Sequence, residues 1–300
     1  MFKSIVDDIK FSFRSGNMIT RLVIITCAVS IVFIVTKAVL RGDPGLQSGF
    51  IQLLALPGNP LSLLIKPWTL ITHLLIHVDL WHLLWNMLFL YWFGRIVGDL
   101  IGDHRILPIY LLGGFVGAFA FLISYQLMDS IGSYAIGASA AVMAIVVCAG
   151  AVAPDYVMRL ILIGDVKLKY IVFFVVLIDI IGVTGSSNTG GHIAHLGGAL
   201  FGLFYVRQLR EGTDLAIPVS NLLNKIASLF KGSNQTGNRK KTTLNVKYRS
   251  DKKNEQNQTT RKDTTSFQAK LDGILDKIKE SGYESLTEEE KEFLFQASKK

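Results

Sequence analysis

Charge is scarce over the first two-thirds of this sequence, and cysteine is scarce throughout. Only 18% of the 300 residues are charged and half are hydrophobic, with a mean hydropathy of +0.40. That excludes an ordinary water-soluble domain of this length. The charges that do occur collect after Arg207, so the chain reads as a membrane protein with a polar tail. Cys27 and Cys148 both lie inside apolar runs, where a thiol behaves as a small hydrophobe; a disulfide framework and a cysteine-based metal site are excluded. Basic residues are absent from the segment 126–134 and again from 185–191, and that absence carries information about orientation.

What is present is a series of apolar stretches near the length needed to cross a bilayer, about 20 residues or fewer where a helix is buried among others. They fall at 22–39, 80–97, 107–127, 137–153, 170–183 and 192–206. The first is followed by Lys37 and Arg41 without a small-residue cleavage pattern, so it is expected to remain in place. Six spans bring both termini to one side. Lys3, Lys10, Arg14 and Arg21, then Arg95 and Arg105, then Arg159, Lys167 and Lys169, then Arg207 and Arg210 all fall on that side, which the positive-inside rule makes the cytoplasm. The fold expected is therefore an all-α polytopic membrane protein, a bundle of six transmembrane helices with a cytoplasmic C-terminal tail. Its domains read as an amphipathic segment 1–17 with Phe2, Ile5, Val6, Ile9 and Phe13 at helical spacing, a membrane domain 18–210, a basic disordered linker 211–263 and a small helical module 264–300.

The first loop, 41–80, is too apolar to hang free in water and is broken by Pro57, Pro60 and Pro67; it reads as a folded hairpin in the interface, with Trp68 and Trp81 at headgroup level. In the tail, Phe267, Leu271, Ile274, Leu275 and Ile278 keep helical spacing up to Gly282, and Thr287 with Glu290 forms a capping box for a second helix. The basic linker beside a membrane favours anionic lipid headgroups. A nucleic-acid role would need a folded basic face with aromatics, which the linker lacks.

Polar residues cluster at one depth of this topology. His73, His77, His82, His192 and His195 fall in its extracytoplasmic half, and so does Ser139, the one hydroxyl in "GASAAVMAIVVCAG". Such groups are costly in hydrocarbon and face a bundle interior or a wet cavity, which points to a site. A helical serine can instead bond back to a carbonyl one turn earlier, so Ser139 alone is equally a packing residue. His82 and Asn86 are four apart and share a helix face, either as a site or as interhelical glue. His77, five before His82, lies off that face and ends the loop. His195, Gly198 and Gly202 place an imidazole above a small-residue groove that lets the helix carrying Gly137, Ala138, Ala140 and Ala141 approach closely.

The ordered set "HVDLWHLLWN", "GASA" and "AHLGGALFG" closely resembles the rhomboid family of intramembrane serine proteases, over 19–210. The resemblance implies that Ser139 is the nucleophile and His195 its general base, a dyad with no third carboxylate. It implies an oxyanion hole from Asn86, His82 and the Ser139 backbone N–H, with His77, Gly137, Gly198 and Gly202 as accessory positions. Serine is a poor nucleophile until a base takes its proton, and preorganised donors must meet the oxyanion, so the residue types suit the chemistry. No cofactor or metal is implied. The partners implied are transmembrane protein substrates, cut near their extracytoplasmic ends, and the membrane expected is a bacterial inner membrane.

Several positions depart from the family's usual pattern. Ala140 follows the serine where glycine is usual, Thr69 follows Trp68 where arginine is common, Gly98 stands where an acidic residue is common, with Asp99 beside it, and Met143 stands where an aromatic is frequent. Two other classes remain open: an inactive rhomboid-like factor that binds and escorts membrane clients, and a metal transporter using His77, His82, His192 and His195. The escort class usually lacks the serine or the histidine, and a transporter would more often add carboxylates at midplane than these helices do.

Overall fold

The computed structural model describes residues 2–128, 131–160, 163–185, 188–230 and 262–297. The chain divides into two units, Met1–Asn234 and Gln235–Lys300.

In the first unit, α1 (Phe2–Ser15) follows the expected amphipathic segment, with Val6, Ile9 and Phe13 exposed. The Asn17 side chain accepts from the Thr20 N–H and starts α2 (Met18–Val39). The 41–80 segment is a string of short helices where a hairpin was expected: α3 (Pro44–Leu54), α4 (Pro60–Ile65) and α5 (Thr69–Thr72). Asp43 and Asn59 cap the first two, and the prolines after them occupy first-turn positions, where a missing N–H costs nothing. Pro60 thus starts a helix, while Pro57 in a strand and Pro67 in the turn before α5 do interrupt the helices as expected.

Between α3 and α4, strand β1 (Leu56–Pro57) pairs antiparallel with β2 (Tyr134–Ala135), Leu56 opposite Ala135. This two-residue ladder ties the first loop to the chain that leads into Ser139. A second hairpin, β3 (Val157–Leu160) with β4 (Gly164–Lys167), lies beyond the next helix. Both pairs are departures from a purely helical expectation.

The remaining helices are α6 (Leu80–Ile101), α7 (Ile106–Leu127), α8 (Ser139–Val152), α9 (Leu168–Val183) and α10 (Thr189–Arg210). Helix α8 is central: every residue from Ala140 to Gly150 is buried, and α6, α7, α9 and α10 pack around it. By length and composition, two helical segments suit a membrane crossing, Met18–Gly42 and Asp103–Leu127, and a third does if the bent pair Thr69–Leu75 and Leu80–Ile101 counts as one. Helix α8 is apolar but shorter, as suits an element enclosed by its neighbours.

Small residues make the packing of α7, α8 and α10 possible. A Cβ on Gly198 would collide with the carbonyl oxygen of Ala140, and one on Gly202 with that of Ala144. From the other side, Gly117 of α7 faces the Ala140 methyl, with no room for a methyl of its own. The extra methyl at Ala140, noted as a departure from the family's usual glycine, is thus matched by a glycine across the contact.

The chain after α10 corrects the expected linker. Its first part is helix α11 (Ala216–Phe230), anchored by the buried Ala216. Asp214 just before it accepts from the Ala216 N–H at 2.9 Å, from Arg105 at 2.8 Å and from the Tyr205 hydroxyl at 3.0 Å. Burial raises the pKa of this carboxyl, but those three donors outweigh it and hold it below the ordinary aspartate value. The rest of the expected linker, 231–261, lies outside the described residues.

The second unit contains α12 (Lys262–Ser281) and α13 (Glu288–Ala297), the first beginning two residues before the expected boundary. Gly282 ends α12 at φ +79°. The capping box forms, with the Thr287 N–H donating to Glu290 at 2.8 Å and the Glu290 N–H to Thr287 Oγ1 at 3.4 Å. Lys277 of α12 pairs with Glu290 at 2.8 Å.

The glycine seam yields a direct test. Gly198→Val forces branched carbons onto a backbone carbonyl, so thermal unfolding in detergent should show a loss of about 3 kcal/mol or more, above the usual range for overpacking a flexible side chain. Gly198→Ala should lie between that variant and wild type.

Candidate active site

The site is built at the N-terminal end of α8. The chain reaches it through Gly137, whose φ of +127° only glycine adopts without strain. The Gly137 N–H donates to the His73 carbonyl at 2.9 Å. The His82 ring packs against the α-carbon of Gly137 so closely that a Cβ would lie 2.7 Å from it. Ser139 then opens the helix, where free backbone N–H groups and the helix dipole favour negative charge nearby.

His77 does more than end a loop. It is fully buried, and Ser30 donates its hydroxyl to the Leu75 carbonyl at 2.9 Å while standing 2.9 Å from His77 Nδ1. The Ala138 N–H points at His77 Nε2 at 3.4 Å. One tautomer satisfies all three groups: Nδ1–H donates to Ser30 and Nε2 accepts from Ala138. The imidazole thereby links α2 to the residue before Ser139. Its ring meets that of His82 edge-on at 5.0 Å.

Helix α6 supplies His82 and Asn86. The Asp79 side chain caps it by accepting from the His82 N–H at 2.8 Å. Asn86 is buried and donates one amide hydrogen to the His82 carbonyl at 2.8 Å. His82 Nδ1 is buried and has no protein partner. An unmet buried group of this kind costs about 1–3 kcal/mol.

Ser139 and His195 line the same two cavities. The first, about 640 Å³, is also walled by His73, His82, Gly137 and Thr189. The second, about 340 Å³, adds Asn86, Met143, Asp179 and His192. The expected site residues are therefore brought together: Ser139, His195, His82 and Gly137 on one cavity, Ser139, His195 and Asn86 on the other, with Gly198 and Gly202 in the seam beneath. His77 stands behind Ala138.

The resemblance implied no third carboxylate, and the structure places one beside His195. Asp179 of α9 is only 4% exposed, and its Oδ1 stands 2.8 Å from His195 Nδ1 and 2.7 Å from His192 Nδ1. In sequence it stands out only as a carboxylate inside the fifth apolar stretch, with no spacing to tie it to His195. His192 seats its ring on Gly182 of α9 and lines the second cavity. The donor atoms of Asp179, His192 and His195 lie within 4.8 Å of one another, a set that could also hold a metal ion.

The bundle brings a serine at a helix start and a histidine to the same cavity, and sequence comparison gives the family. Residues 65–211 match the family described as the Rhomboid domain. The chain is 31% identical over 158 residues to "RHOMBOID-like protein 12, mitochondrial" of Arabidopsis thaliana, covering 48% of this chain and 47% of that one. It is 29% identical over 176 residues to "Presenilin-associated rhomboid-like protein, mitochondrial" of Homo sapiens, covering 54% and 42%. With the zebrafish "Presenilin-associated rhomboid-like protein A, mitochondrial", identity is 28% over 134 residues, covering 43% and 34%. The chain belongs to the rhomboid family and is an integral membrane protein. The match spans less than half the length of each of these relatives. Their names are mitochondrial, so they lend no support to the expected bacterial inner membrane.

His77→Ala tests the link behind the site. It leaves the Ala138 N–H without its acceptor and opens a cavity, so unfolding in detergent should show a loss of about 2–4 kcal/mol, the sum expected for an orphaned donor and a truncated core side chain. A Tm unchanged from wild type would remove His77 from the scaffold.

Proposed function

We propose that the protein is an intramembrane serine protease that hydrolyses peptide bonds in or near the transmembrane segments of membrane-protein substrates. The observation that carries this reading is that Ser139, at the first position of α8, shares both cavities with His195, held opposite by the Gly198 and Gly202 seam. In this reading His195 accepts the Ser139 proton as Oγ attacks the carbonyl carbon, and the carbonyl electron pair moves onto oxygen. Asn86, which has a second amide hydrogen beyond the one given to His82, receives that oxyanion together with His82 and the Ser139 N–H. His195 then passes the proton to the departing amine, and water repeats the sequence to release the acyl group. The bundle crosses the membrane six times, with both termini on the cytoplasmic side and the cavity open to the opposite face. The basic tail lies against anionic headgroups.

An inactive escort protein is the competing reading, and catalysis separates the two. With purified protein in detergent and a reporter transmembrane substrate, wild type should cleave, and Ser139→Ala and His195→Ala should each abolish cleavage while remaining folded. Because the pair acts as a unit, the double variant should be little worse than either single. A fluorophosphonate probe should label Ser139 in wild type alone. Folded wild type that neither cleaves nor labels would favour the escort reading.

Loss of an oxyanion donor has its own signature. Asn86→Ala should lower kcat by about 10² to 10³ with KM little changed, because the lost interaction matters mainly in the transition state. An unaltered kcat would leave Asn86 as a bond within α6 only.

A further inference from the structure

Among the described residues Asp179 is the only buried carboxylate. A carboxylate out of water is strongly unfavourable unless hydrogen-bonded or paired, so the groups it contacts are the reason it is tolerated. Those groups are two imidazoles on one face of α10, both meeting the same oxygen: His192 Nδ1 at 2.7 Å and His195 Nδ1 at 2.8 Å. An ionised carboxylate has no hydrogen to give, so each Nδ1 must carry the proton and donate it. For His195 that leaves Nε2 as the accepting nitrogen, the one a base facing Ser139 requires. The Nδ1-protonated tautomer is set from α9, an element that contributes nothing to the oxyanion hole.

We propose that Asp179 is a positioning residue for His195, completing a carboxylate–histidine–serine arrangement, and that His192 serves as a second donor that seats the same carboxylate oxygen. This rests on the protease reading of Ser139 and His195. When the Ser139 proton moves to Nε2, His195 becomes an imidazolium, and the negative charge of Asp179 beside Nδ1 stabilises it; no proton passes to Asp179. His192 shares the carboxylate in the resting site, and its ring rests on Gly182, so the α9–α10 contact holds both imidazoles on the same acid, the two rings meeting edge to face at 5.9 Å. The three residues could alternatively ligate a metal, but the separations of 2.7 and 2.8 Å are those of direct hydrogen bonds.

Two readouts on the full-length protein in detergent test this. The first is kinetic. Asp179→Asn should lower kcat by about 10² to 10⁴ with KM within a few-fold, as expected when a base loses its tautomer and counter-charge while substrate contacts stay. Asp179→Glu, which keeps the charge, should recover part of the loss, and His192→Ala should fall between wild type and Asp179→Asn. A kcat unchanged in folded Asp179→Asn would overturn the proposal. The second readout does not depend on activity. With ¹⁵N-labelled histidine, the His195 signal, identified by its disappearance in His195→Ala, should report a neutral Nδ1–H tautomer in wild type. It should shift toward Nε2–H in Asp179→Asn. An Nε2–H tautomer in wild type would overturn the proposal even if the protein cleaves substrate, and an Nδ1–H tautomer would uphold the pairing even if it does not. Activity that disappears on chelation and returns with zinc would assign the three residues to a metal instead.

Discussion

The close approach of α10 to α8 is the constraint on which the rest of the structure depends. At Gly198 and Gly202 the two backbones meet with no side chain between them, so the His195 imidazole, less than one turn before Gly198, is carried to the cavity that holds Ser139. The same contact requires small residues on the third helix, which Gly117 supplies opposite Ala140. In an apolar surrounding there is little hydrophobic gain between helices, and close van der Waals packing of small residues is the main force available. A seam chosen for packing thus also brings Ser139 and His195 to one cavity.

Polar atoms inside the bundle are arranged around that seam so that few are left unmet. The Ser30 hydroxyl, His77 and the Ala138 N–H form one chain of donors and acceptors, and the Gly137 N–H is taken by the His73 carbonyl. The β1–β2 ladder fixes the approach to α8 from the outside. These contacts hold the Ser139 end of α8 from three directions: α2, the first loop and α6. Rigid support of this kind suits the proposed role of Ser139, because a loosely held nucleophile loses most of its advantage over solvent. Among the described residues, Thr26 Oγ1 and His82 Nδ1 are the buried side-chain atoms left without a partner.

Much of this was legible in the sequence because helices buried in a bundle are apolar nearly throughout. The six apolar stretches correspond to α2 and α6–α10 with end shifts of a few residues, most at the sixth, which starts at Thr189 and runs to Arg210. The histidine and glycine spacing on α10 gave its contact face correctly, since a period of three to four is fixed by the helix itself. The first loop was harder. Pro57, Pro60 and Pro67 read as breaks; Pro57 and Pro67 do lie between helices, while Pro60, like Pro44, starts one behind an Asn59 or Asp43 cap. Helix α11 was missed because its polar residues resemble the tail that follows, and its burial rests mainly on Ala216 beside the Asp214 cluster. Asp179 could not be assigned from spacing at all: it reaches His195 across two helices, and only the packing of α9 on α10 puts them together.

The central claim is that Ser139 and His195 act on one substrate from facing helices. A peptidyl chloromethyl ketone is the most direct measurement, because its ketone is attacked by a serine oxygen and its methylene is alkylated by the histidine, joining the two only if both reach one bound molecule. Digestion and mass spectrometry of the treated protein should yield a single adduct linking the peptide that contains Ser139 to the peptide that contains His195. Alkylation of His192 in place of His195, or of His195 without any bond to Ser139, would contradict the account.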